Sequence, residues 1–229
     1  MSYTMLPQYL DSYGLPGSIS KNSPLNMGDA CADYFTILAC TDMVDDKVDL
    51  FWSPENTPRR HPDTSQWWGQ PHVESRDQFL PILCYAVMRK VQSSFIRKLF
   101  ISHLKRCFLF AWNTKTEAIP GSFNFPDITF LEVIGLWLRI YKPFGYKILL
   151  PICDMETLVN AIIWKYWPQD NITRNFMLVA AAHKTDPSVI SNIAYKLSDF
   201  NDLLSRWEAN TIATGEYPTA PLIKGILCL

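Results

Sequence analysis

Apolar residues recur along this chain mostly at three- and four-residue steps, the period of helices with a buried face, and almost nowhere at the two-residue step of strands. In GDACADYFTILACTDMVDD, Cys31, Tyr34, Phe35 and Leu38 follow that step and Asp29 stands where a cap is needed, predicting a helix to about Val44. A second helix is expected after Ser75. There Ser75 and Gln78 form the capping box, in which each side chain accepts the other's backbone N–H. Asp77 adds a negative charge to the first turn, where the helix dipole favours one. Phe79, Leu80, Ile82, Leu83, Tyr85, Val87 and Met88 leave this helix almost no polar face, so it belongs at the centre of the fold. Pro81 lies beyond its first turn and predicts a kink or a short turn followed by a restart.

Further helices are expected at about 94–112, 127–141 from the cap Asp127, 153–166, 172–183, 187–197 and 199–209. Pro120-Gly121, Pro143 with Gly145, Pro168 and the sequence KTDPS separate them, with Asp186 and Pro187 capping and starting the next helix. KILLPI, residues 147–152, is the best strand candidate. About eight helices joined mostly by short turns give antiparallel neighbours, so the expected class is all-α. The arrangement is α/α hairpins in a partial toroid or an irregular bundle. No repeat at a fixed period points to a regular solenoid.

Residues 1–28 hold Gly14, Pro16, Gly17, Pro24 and Gly28 without a sustained period and read as an N-terminal arm. Residues 29–209 form the helical domain, and residues 210–229 lose the helical period and read as an extended C-terminal arm. Inside the domain, residues 50–74 carry Pro54, Pro58, Pro62 and Pro71 and read as one long loop over an end. Loops of that length are usually lids or linkers, and the pair Trp67-Trp68 argues against a linker.

Composition narrows the functions. A chain of 229 residues that is 48% hydrophobic and 14% aromatic can bury a sizeable core. Its 21 basic and 22 acidic residues create no global field, so nucleic acid is not an expected partner. Locally, Arg89, Lys90, Arg97, Lys98, Lys105 and Arg106 form a basic stripe that reads as a solvated helix face, with anion contact as the other reading. The six cysteines, Cys31, Cys40, Cys84, Cys107, Cys153 and Cys228, form no CxxC pair and have no histidine at zinc-ligand spacing. They read as core thiols in a reducing compartment, with no metal site expected. No cofactor is implied, because GxSxG, P-loop, GxGxxG, HExxH and EF-hand patterns are all missing from the sequence. The longest uncharged apolar run, FLPILCYAVM, is far short of the roughly 20 residues that span a bilayer, and no secretion signal is visible.

Candidate chemistry gathers around RHPDTSQWWGQPHVESRDQ, residues 60–78. Asp29 and Asp33 on the first helix, with His61, Asp63, Arg76 and Asp77 near the second, form a loose polar set. Paired carboxylates are what glycoside hydrolysis needs, one as proton donor and one as base or nucleophile. Trp52, Trp67 and Trp68 would offer faces for stacking on sugar rings. The same residues have structural readings. Asp29 and Asp77 are ordinary first-turn acids, Arg76 can pair with Asp63 or Asp33, and His61 before Pro62 can fix a turn. Asp33, among Cys31, Ala32, Tyr34 and Phe35, either points outward or is drawn inward and needs a cation, with Arg76 the expected partner.

The order GDACADYF, RRHPD with a nearby tryptophan, and SRDQFLPIL resembles a group of phage-encoded helical proteins with an acidic first helix, an RHP segment and an S-R-D-Q helix start. Those in turn are similar to α/α-hairpin toroids used by some glycosidases and lyases. The resemblance spans residues 28–90, with Asp29, Asp33, His61, Arg76 and Asp77 as matching positions. It implies a phage origin and a helical-hairpin architecture. A closed toroid needs more helices than this chain offers. Two readings follow. One is a non-enzymatic virion or assembly protein that touches other subunits, its own or those of the virion, through its arms and aromatic loop. Such a protein is expected in the host cytoplasm during synthesis and in the virion after assembly. The alternative is a carbohydrate-binding or carbohydrate-cleaving protein, a polysaccharide hydrolase or lyase, using the polar cluster. The second requires carboxylates open to a tryptophan-lined cleft, the first requires them closed into ion pairs with exposed apolar surface on the arms.

Overall fold

A computed structural model describes residues 3–17, 27–53, 59–69, 76–91, 130–166, 173–198, 200–215, 217–219 and 221–223. Among these it holds eight α-helices and no strand: α1 Ala30–Cys40, α2 Arg76–Met88, α3 Phe130–Tyr141, α4 Tyr146–Cys153, α5 Met155–Tyr166, α6 Thr173–Thr185, α7 Val189–Leu197 and α8 Phe200–Thr214. The fold is all-α. Ser75, the expected helix at 94–112 and the cap Asp127 lie outside the described residues.

The centre is α2. Ile82, Leu83, Cys84, Tyr85, Ala86 and Val87 are all buried, so the helix is covered on every side over nearly two turns. α1, α3 and α6 all touch it. The aromatic heart lies between α1, α2 and a short 3₁₀ turn at Val48–Phe51, with the Phe35 ring 5.5 Å from Tyr85 and 5.6 Å from Phe51. α2 runs through Pro81 without a restart. The hydrogen bond that proline deletes would have reached back to Asp77, in the first turn, so the rest of the ladder is untouched.

α1 ends at Cys40, earlier than its apolar pattern suggests, because Thr41 turns extended. Arg89, just past α2, then donates to the carbonyl oxygens of Thr41 and, at 2.9 Å, Met43. Hydrogen bonds from a neighbouring element replace the missing turn. α8 departs the other way, continuing to Thr214 where a C-terminal arm was expected from 210.

KILLPI is helical, forming most of α4. Its burial repeats at three- and four-residue steps, with Leu150 and Cys153 inward and Ile148 and Ile152 outward, a period that six residues alone do not reveal. Gly135 of α3 lets α4 approach closely, since a Cβ there would stand 3.1 Å from that of Cys153.

A buried ion pair joins these helices. Arg139 of α3 donates to Asp154, between α4 and α5, at 2.6 Å, and to the carbonyl oxygens of Gly135 and Asp186 at 3.2 Å each. Ser188 donates to the same Asp154 oxygen at 2.5 Å and also caps α7, forming a capping box with Ser191. The cap is therefore Ser188, not Asp186 or Pro187. Asp186 instead accepts hydrogen bonds from the Tyr146 hydroxyl and, at 3.4 Å, Lys142. Partial burial works to raise its pKa, but the Tyr146 and Lys142 hydrogen bonds and the charges of Lys142 and Lys147 outweigh that and hold it below the ordinary value.

Both arms fold back on the domain. Leu15 and Tyr217 are buried, Tyr3 and Tyr217 share a hydroxyl hydrogen bond of 3.0 Å, and the Leu6 N–H donates to Tyr217 Oη at 3.1 Å. Replacing Asp154 by alanine strands the buried Arg139 guanidinium, and denaturant unfolding is expected to show a loss of about 3–5 kcal/mol. A loss under 1 kcal/mol would mean that water reaches Arg139.

Candidate functional site

The polar residues around the RHP segment assemble where the 59–69 loop crosses the start of α1 and the N-terminal arm. The arm turns tightly at residues 11–15: Asp11 Oδ1 accepts the N–H groups of Tyr13 at 2.9 Å and Leu15 at 2.8 Å, and Gly14 N–H bonds to the Asp11 carbonyl at 2.9 Å. Lys47 holds the tip from outside, donating to the carbonyls of Tyr13 at 2.9 Å and Gly14 at 2.8 Å. The second Asp11 oxygen meets His61 Nε2 at 2.8 Å. His61 is buried, and the Tyr13 ring stands edge-on to it at 5.3 Å.

The His61 tautomer follows from its partners. Nδ1 lies 3.0 Å from the Asp63 backbone N–H and must accept, so Nε2 carries the proton and donates it to Asp11. Both ring nitrogens are occupied. A His–Asp pair that does general-base chemistry keeps one nitrogen free for substrate or nucleophile, and here that nitrogen is taken by the backbone.

The carboxylates are engaged as well. Asp63 accepts from the Ser65 hydroxyl at 2.6 Å and its N–H at 3.0 Å, which together hold its pKa below the usual carboxylate value. Gly69 closes that loop onto Asp63, where a Cβ would lie 1.7 Å from the Asp63 carbonyl oxygen, so only glycine fits. Asp29 occupies the N-cap position of α1 but makes no side-chain cap bond; its carboxylate faces Arg60 at 4.0 Å. The Arg60 carbonyl accepts the Cys31 N–H at 3.0 Å and does part of the capping. Asp33 points inward and is buried, near enough to Tyr217 for its charge to help raise that phenol's pKa, which burial raises most.

Trp52 and Trp68 are half-buried and pack against the main core. Trp67 opens a 3₁₀ turn, Trp67–Gly69. The side chains of Trp67, Arg76 and Asp77 lie outside the described residues, and with them the expected Asp33–Arg76 pair. Thus Asp29, His61 and Asp63 share one loop–helix junction, and Asp33 lies inside α1. Two residues central to this junction, Asp11 and Lys47, were not among the expected set. The D-S-Y-G turn signature at 11–14 was the available signal for Asp11.

Among the described residues no group of three metal-ligating side chains is gathered, and no helix is long and apolar enough to cross a membrane. Compared with known protein families, curated proteins and solved structures, the chain matches none.

The junction predicts that Asp11→Ala strands the buried His61 N–H and unties the arm. A stability loss of about 2 kcal/mol is expected, with new chymotryptic cleavage at Tyr9 or Tyr13 under native conditions. An arm that stays protected would show that Lys47 and the core contacts hold it without Asp11.

Proposed function

We propose that this chain is a non-enzymatic, contact-forming protein of an assembly. The observation that carries this is the apolar surface left in solvent along α4 and α5, where Ile148, Ile152 and Val159 are exposed, with Phe144 exposed in the turn before α4. The polar groups point the same way. His61 has both nitrogens occupied, and Asp29 and Asp63 face Arg60 and Ser65 respectively. Each has a structural task at the loop–helix junction.

This reading moves the contact surface away from the arms and the aromatic loop. The N-terminal arm is tied to its own chain through Asp11 and Tyr217, and the described tryptophans lean on the core, so the surface for partners lies on α4 and α5. A virion is the setting that the resemblance at residues 28–90 offers, and it rests on that resemblance alone.

Incubated with a panel of bacterial surface polysaccharides, the wild-type chain is expected to release no reducing ends and no unsaturated products. Turnover that disappears in Asp29→Asn or Asp63→Asn while the melting temperature holds would overturn this reading in favour of a carbohydrate-active enzyme.

A further inference from the structure

We draw no further inference here: the strongest candidate, the apolar face that α4 and α5 leave in solvent with Ile148, Ile152 and Val159 exposed, has nothing in the structure to show what covers it.

Discussion

A helix with no polar face must be surrounded, and α2 sets that requirement for the whole domain. Six consecutive buried residues from Ile82 to Val87 demand neighbours all round. α1, α3 and α6 meet the demand, while Leu15 of the N-terminal arm and Ile223, in the helical turn at 221–223, join the same core. Each large side chain so covered contributes about 1.5–3 kcal/mol, enough to draw irregular segments into place without secondary structure of their own. The arms follow from this constraint.

The buried polar groups are arranged so that none of this burial is undone. Arg139 and Asp154 enter the interior as a pair, with Ser188 and two carbonyl oxygens taking further hydrogen-bonding capacity. Replacing such a pair with apolar residues can be neutral, while losing one member is costly, so its value lies in fixing how α3, the α4–α5 junction and the start of α7 meet. His61 and Asp11 do the same for the arm. The two networks hold fixed the parts whose packing alone leaves alternatives open. The solvent face of α4–α5 has no such network and no cover among the described residues.

Much of the architecture was legible from period and punctuation. α2, α3, α5, α6 and α7 fall within a few residues of the stretches their apolar steps mark out, while the capping box of Ser75 lies outside the described residues. What escaped depended on tertiary partners. The end of α1 is decided by Arg89, which is distant in sequence, and KILLPI shows its helical step only once α3 has chosen which residues face inward. At the candidate site, His61 and Asp63 do come together, and their hydrogen bonds run to Asp11, Ser65 and the backbone, the first of which no local spacing names. Lone charges in apolar stretches, Arg139 in LWLRIY and Asp154 in PICDM, were an unread sign that two helices would meet through an ion pair.

The loop at 59–69 supplies backbone to its surroundings as well as side chains. Arg59 N–H bonds to the Phe51 carbonyl at 2.9 Å, the Arg60 carbonyl receives Cys31, and Gly69 rests against Asp63 with no room for a methyl group. Surface connections ordinarily absorb insertions and drift freely in length. This one cannot: an extra residue between Arg59 and Gly69 would pull the Arg60 carbonyl from the first turn of α1 and His61 from Asp11 in one step. Variation in length among relatives of this chain should therefore avoid the RHP segment, which will behave over evolutionary time as part of the core.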